Sequence, residues 1–307
     1  MITKRKFKNE DYTRIIKFLQ QQYWLNKNED CWLSQRFEDM EYRVGVMVVD
    51  RGGEDWHKGI WLWEEDGNVV AVMNSEGKKE AFMHIATGYE YLFNEMLDLA
   101  EQIYPNVVYK GDIEKRLSVI VLDKHKYRTA ELAKREYVKE DDHSYLKKVK
   151  CDKINTINLP DGFEIINGSL EGNSKAYDVC HWGFHPETEG EISLEIPNNW
   201  KTREQAPMFD YKYQIMVKNK VNGDLCSYLY VWVDKDTRSA YVEPMSTREK
   251  YRKKGFGKAM LLYAQNLLFE DGIEYCFVNP FAAHRDRVYS SAGFETFDEE
   301  FVWTKKF

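Results

Sequence analysis

The chain has 307 residues, enough for about two domains that each bury a core, and its 44 Lys plus Arg against 51 Asp plus Glu leave a net charge of −7. That balance disfavours non-specific binding to nucleic acid and tolerates cationic substrates. The five cysteines are scattered without a C-x-x-C pair, and no apolar run reaches membrane-spanning length. Neither a disulfide framework, a zinc site nor a membrane association is indicated, and a soluble cytoplasmic chain with reduced thiols is expected.

In chain order, Tyr12 to Tyr23 carries helical periodicity through Ile15, Ile16, Leu19 and Tyr23. Arg43 to Val49 reads as a strand. Gly59 to Glu64, Asn68 to Met73 and Glu80 to Ile85 read as a meander turned at Asp66-Gly67 and near Glu76-Gly77. Leu92, Phe93, Met96, Leu99, Ala100 and Ile103 define one apolar helix face; Leu117 to Leu122 follows as a buried strand, Arg128 to Arg135 as a second helix, and Tyr145 to Val149 closes the half. The second half repeats the order: strand Phe163 to Ile166, a helix around Lys175 to Val179, strands Tyr213 to Lys218, Leu225 to Val233 and Ser239 to Met245, then a helix from Gly257. Tyr137 and Phe294, each after a short helix, stand 157 positions apart in this matching. The expected architecture is therefore a duplicated α/β (α+β) domain: residues 1–150, a polar linker 151–160 ending in Pro160-Asp161-Gly162, and residues 161–307.

One stretch carries most of the functional signal. Arg252-Lys253-Lys254-Gly255-Phe256-Gly257-Lys258 lies between a strand and the helix marked by Met260, Leu261, Ala264, Leu267 and Leu268. At a helix N-terminus the first N–H groups lack intrahelical partners and the dipole is positive, so two glycines among four cations suit a diphosphate. A P-loop would need Ser or Thr where Ala259 stands, and a dinucleotide fingerprint would need a small residue at Met260. At the matching place in the first half, Ala86-Thr87-Gly88-Tyr89-Glu90 offers one glycine, no flanking cation and a carboxylate. A diphosphate would be repelled there.

The remaining pattern, Arg-x-x-Gly-x-Gly after a strand and opening a helix, resembles the acetyl-CoA loop of the GNAT N-acetyltransferases. The resemblance runs from about Ala206 to Lys305. Tyr241 to Thr247 looks like the family's fourth strand, Cys276 to Asn279 like its fifth, and Tyr289-Ser290-Ser291-Ala292-Gly293-Phe294 is similar to its Tyr-x-x-x-Gly-Phe ending. It implies two GNAT-like domains in tandem, each a mixed, mostly antiparallel sheet flanked by helices. The first would be degenerate, and the second would be an acetyltransferase using acetyl-CoA and no metal. In that frame Lys253, Lys254, Gly255, Phe256, Gly257 and Lys258 hold the pyrophosphate with Arg252 adding charge, while the backbone of Met245, Ser246 and Thr247 pairs with the pantetheine amides. Asn279 would meet the pantetheine arm, although Pro280 follows it at once and ten positions separate it from Tyr289, a departure from the family pattern.

Acetyl transfer to an amine needs an anchored donor, a neutral amine, oxyanion stabilisation and a proton for the departing thiolate. Glu243, on the strand beside the donor, is the candidate base, directly or through water, or a group that only orients substrate. Tyr289 is the candidate acid or a packed core tyrosine. His181 and His185 share one helical face, but Trp182-Gly183-Phe184 between them supplies no glutamate, so contact with substrate is expected there in preference to a metal. Pro186 to Pro207 reads as a loop over the cleft mouth or a solvated connection. The acceptor is expected to be a small-molecule primary amine and the chain a monomer or homodimer. A non-enzymatic acyl-CoA binding or sensing module, or an acyl or aminoacyl transferase on the same fold, would show the same loop.

Overall fold

The computed structural model describes residues 1–27, 30–108, 110–168, 172–191, 195–281 and 283–307. Contacts divide the chain into two compact units, Met1–Leu146 with Asp298–Phe307, and Lys147–Phe297.

The first unit begins with β1 (Ile2–Lys6), α1 (Tyr12–Asn26), α2 (Ser34–Asp39) and α3 (Gly45–Asp50), the last two joined by a π-helical turn at Met40–Val44. Arg43 to Val49 is therefore helical, not a strand. Its valines invite a period-two reading, but Arg43 bonds Asp39 one turn back and Gly45 packs so tightly that a Cβ there would lie 2.5 Å from the Trp56 ring. The meander follows as β2 (Trp61–Glu65), β3 (Asn68–Asn74) and β4 (Glu80–Ile85), then α4 (Phe93–Ile103), β5 (Arg116–Leu122), α5 (Lys126–Lys134) and β6 (Val138–Lys150). β1 to β4 pair antiparallel in sequence order and β4 meets β5 in parallel. Phe93, Met96, Leu97 and Ala100, at helical spacing, bury α4 on that sheet with Trp63, Ala71, Met73 and Val119.

The second unit runs β7 (Phe163–Asn167), α6 (Gly172–Phe184), α7 (Asn198–Arg203), β8 (Gln214–Asn219), β9 (Leu225–Asp234), β10 (Ser239–Thr247), α8 (Phe256–Glu270), β11 (Tyr275–Val278) and α9 (Ala283–Ser291), and the chain ends in β12 (Glu295–Lys306), which belongs to the first unit from Asp298 onward. β7 to β10 pair antiparallel and β10 meets β11 in parallel, the same order and sense as in the first unit. β9 is buried along its whole length, and Met260, Leu261, Ala264 and Leu268 of α8 pack over it. Each sheet is completed by a strand from late in the sequence of the other repeat. Residues 300–306 of β12 pair with β5 in the first unit, whereas Lys147 to Lys150 of β6 pair with β11 in the second. Lys147 is fixed there by Asp286 at 2.6 Å and Thr296 Oγ1 at 2.8 Å.

The segment Pro186 to Pro207, read from sequence as a loop, contains a short 3-10 turn at Pro186–Thr188 and α7; its residues 192–194 lie outside the described residues. α7 is anchored by Arg203, which is fully buried, lies 3.7 Å from the Trp200 ring centre and donates to Tyr228 Oη at 2.5 Å and Gln214 Oε1 at 2.9 Å. All five cysteines are buried thiols outside any disulfide. Burial pushes the Cys31 and Cys151 thiols up to about 12 and Cys226 to about 11, which makes these three poor nucleophiles at neutral pH.

Candidate active site

β10 and β11 stay in register only from Ser239 to Tyr241. Past Tyr241 the pairing of β10 with β9 shifts between Val242 and Met245, across Glu243-Pro244, which re-aims the strand. A cleft of about 980 Å³ opens at this divergence. Its walls bring together the residues expected to bind the donor or to move protons: Glu243, Met245, Ser246 and Thr247 from β10, the whole stretch Arg252 to Lys258, Asn279 from the end of β11, and Tyr289 from α9.

The loop begins with a short turn at Glu249–Tyr251, after which Lys253 and Gly255 take positive φ, 62° and 83°. Gly255 caps α8 with no side-chain hydrogen bond, and nothing lies within 4 Å of where its Cβ would stand, so the requirement for glycine is conformational. The first helical N–H bond runs from Ala259 to the Gly255 carbonyl. The N–H groups of Phe256, Gly257 and Lys258 precede it, at the positive end of a 15-residue helix. Lys253, Lys254 and Lys258 are exposed around them. Gly257 has a different role from Gly255: a Cβ there would lie 2.9 Å from Val288 Cγ2, so its bareness lets α8 approach α9.

Arg252 is a brace as well as a charge. Its Nη2 donates to the Gly183 carbonyl at 2.9 Å and its Nε to the Thr247 carbonyl at 3.2 Å, tying the loop to α6 and β10. α6 crosses β10 at Gly183, where a Cβ would fall 2.5 Å from Ser246 Cβ and Oγ, and Ser246 Oγ donates to the Cys180 carbonyl at 3.1 Å. Beside the cleft, buried Arg248 donates to Glu189 at 2.8 Å and to the Leu225 carbonyl at 2.7 Å, and stacks 4.8 Å from Trp182. Burial works against the charge on Glu189, yet the bonds from Arg248 and Lys250 hold its carboxyl below the usual range. Tyr251 donates to Asp224 at 2.7 Å, the main cause of that carboxyl's lowered pKa.

The α6 aromatics and histidines are only partly where the sequence suggests. Phe184 reaches the cleft, but Trp182 lies under Arg248, and His181 and His185 meet at a tilt with ring centres 4.7 Å apart, with Tyr177 stacked on His181, outside the cleft lining. Among the described residues no three His, Cys, Asp or Glu side chains gather as metal ligands. Gly183, Phe281, Arg287 and Val288 line the cleft without having been singled out. Arg287 was open to detection as a cation two residues before Tyr289; Gly183 sits in a helix pattern that carries no sign of a crossing strand.

The corresponding place in the first unit is chemically closed. Gly88 takes φ of 93° ahead of α4, but its N–H donates to both Glu90 carboxylate oxygens, at 3.1 and 3.0 Å. The chain's own anion occupies the group that a phosphate would use.

Residues 180–294 match the family described as Acetyltransferase (GNAT) family. The chain carries a GNAT domain. The whole chain is similar in fold to solved GNAT structures. A GCN5-related N-acetyltransferase from Sphaerobacter thermophilus superposes with a TM-score of 0.67 at 12% identity, covering 99% of this chain and 95% of that one. A tandem GNAT protein from the clavulanic acid biosynthesis pathway gives 0.65 at 13%, covering 100% and 98%. An acetyltransferase of the GNAT family from Colwellia psychrerythraea gives 0.60 at 13%, covering all of both chains. No curated protein sequence gives a significant match. The architecture is thus two GNAT-like folds in tandem, and the GNAT family supports acetyl transfer as the general activity. No helix among the described residues is long and apolar enough to cross a membrane.

Proposed function

We propose that residues 161–307 are a catalytic acetyl-CoA-dependent N-acetyltransferase domain, joined through 151–160 to a degenerate GNAT-like domain of residues 1–150, and that the acceptor is a primary amine on a small molecule. The observation that carries this reading is the convergence, in one cleft of about 980 Å³, of an uncapped basic helix N-terminus with Glu243 and Tyr289. Bound acetyl-CoA would supply the activated acetyl group as a thioester. The residues fit it: the open space over Gly255 admits a phosphate, the N–H groups of Phe256 to Lys258 face it, and Lys253, Lys254 and Arg287 offset its charge. Met245 to Thr247, on the diverging part of β10, offer backbone groups to the amides of the pantetheine arm, with Asn279 on the facing strand.

Glu243 receives the proton that the amine loses on attacking the thioester carbonyl carbon, directly or through one water. As the carbon–sulfur bond breaks, Tyr289 donates its phenol proton to the thiolate. No cysteine lines the cleft among the described residues, which favours direct attack over an acyl-enzyme.

The test is calorimetric titration of acetyl-CoA together with measurement of free CoA release across an amine panel. One site per chain and amine-dependent CoA release are expected. Glu243→Gln and Tyr289→Phe should bind acetyl-CoA as the wild type does but lower kcat by about 10²-fold or more. Binding without turnover for any amine would leave a non-enzymatic acyl-CoA module, and tighter binding of a larger donor would shift the reading to another acyl transferase.

A further inference from the structure

In the first unit, β4 and β5 pair only at Glu80 with Ser118 and Ala81 with Val119, and diverge beyond. A pocket of about 320 Å³ opens there, bounded by Ile85, Thr87, Lys124, His125 and Arg128. That is roughly ten water volumes. A smaller recess of about 30 Å³ shares His125 and Arg128 and lies against Met83 and Leu122.

Arg128 is only 9% exposed. Its Nη1 donates to the Met83 carbonyl at 3.1 Å, and among the described residues no carboxylate stands within 4 Å of the guanidinium. Arginine keeps its charge at any ordinary pH and carries five donors, so a buried guanidinium held by one carbonyl and a Phe93 ring 5.7 Å away is an expensive arrangement without an anion. The nearby acids are committed elsewhere: Glu90 accepts from Gly88 N and Asp30 is paired with Lys124. His125 lies beside the guanidinium. Its buried Nδ1 has no hydrogen-bond partner, and burial, with Arg128 and Lys124 adding to it, pushes the imidazole down to about 3, so it is neutral at physiological pH. Lys124 is paired with Asp30 and Asp298 and Lys126 with Asp123, so among the described lining residues Arg128 is the cation with no carboxylate within 4 Å, and one guanidinium fork suits a monoanion better than a diphosphate.

We propose that this pocket binds a small molecule through its carboxylate, which takes the unused donors of Arg128, with His125 beside it and an apolar tail against Ile85. The site is independent of the acetyl-CoA reading of the second unit. It gives the first domain a ligand of its own chemistry at the place where its repeat would hold a donor.

The probe is sodium butyrate, titrated calorimetrically into the full chain in a low-salt zwitterionic buffer, with butyramide and potassium phosphate as the other arms. Butyrate should bind at one Arg128-dependent site, at least tenfold tighter than butyramide. Arg128→Gln should weaken butyrate at least tenfold, and Arg128→Lys, which keeps the charge but loses the fork, should also weaken it. The comparison with butyramide needs no variant, so it stands even if a substitution at this buried position fails to fold. No butyrate binding up to roughly 50 mM, well past the millimolar affinity of a weak fragment, overturns the proposal. Equal binding of the amide, unchanged affinity in both Arg128 variants, or tighter binding of phosphate through Arg128 would do the same.

Discussion

Gly183→Ala is the perturbation that best probes how the cleft is held. The new methyl would sit 2.5 Å from both Ser246 Cβ and Oγ and 3.0 Å from Thr247 N, so more than 1 Å of relative movement is needed to restore ordinary contacts, and one of the obstructing atoms is backbone. Overpacking of this kind costs about 1–3 kcal/mol, against a gain of at most about 1 kcal/mol from replacing glycine in a helix. A net loss of about 1–2 kcal/mol is expected, localised where α6 crosses β10. Hydrogen exchange reads this locally: amides of α6 should open about tenfold more often, at 1.4 kcal/mol per tenfold. Displacing Gly183 also moves the carbonyl that holds Arg252 Nη2, so affinity for acetyl-CoA should fall with it. Ser246→Gly removes both clashing side-chain atoms. Alone it loses the bond to the Cys180 carbonyl and some strand stability, but combined with Gly183→Ala the two effects should total at least 1 kcal/mol less than their sum. Wild-type exchange in Gly183→Ala, or strict additivity in the pair, would refute the close crossing as the reason for glycine.

Lys254→Glu with Lys258→Glu changes two exposed side chains at the helix N-terminus, so stability should stay within about 0.5 kcal/mol while acetyl-CoA affinity drops on the order of tenfold at low ionic strength. The difference should shrink at high salt in a calorimetric comparison; a salt-independent loss would argue against a charge effect. In the first unit, His84 is buried, its Nδ1 accepts from Trp32 N and its Nε2 faces Asn74 Oδ1, and desolvation with Arg36 and Arg128 nearby holds it down to about 3. A base whose folded pKa is depressed stabilises the fold above its unfolded pKa and loses that contribution as pH falls. From about 6.5 towards 3 each pH unit should therefore cost up to about 1.4 kcal/mol. His84→Asn should remove about one proton from the pH slope measured by denaturant titration, and an unchanged slope would show that the ring is not buried neutral.

What the sequence reveals and what it conceals divide along physical lines. Apolar residues at helical spacing locate α4 and α8 to within a residue or two, because the faces they define are the faces buried. The basic glycine loop is legible because it needs several rare features together, a strand, positive-φ glycine, clustered cations and a helix. Arg43 to Val49 misleads because β-branched residues carry a strand signal that one Asp–Arg pair and a glycine wedged against Trp56 outweigh. The strand exchange at the two sheet edges is invisible in principle: β12 has the same alternation whether it pairs with β5 or β11, and only long-range register decides. The crossing at Gly183 is hidden for the same reason, since its cause lies 63 residues away at Ser246.

The two repeats show how little backbone change separates a phosphate site from its opposite. Gly88 and Gly255 both take positive φ ahead of a helix that follows the fourth antiparallel strand of its unit, and in both units the next strand pairs only briefly before diverging. Geometry alone would assign both the same ligand. The difference is electrostatic and local. At α4 a carboxylate two residues on folds back onto the glycine N–H, whereas at α8 the flanking residues are lysines whose side chains point to solvent and leave the N–H groups of the first turn facing the cleft. Charge then reappears in the first unit at another point of the same splay, on Arg128 of α5. A duplicated fold can thus keep its opening between strands while moving the anion-binding group from a helix end, suited to a diphosphate, to a single buried guanidinium suited to a carboxylate.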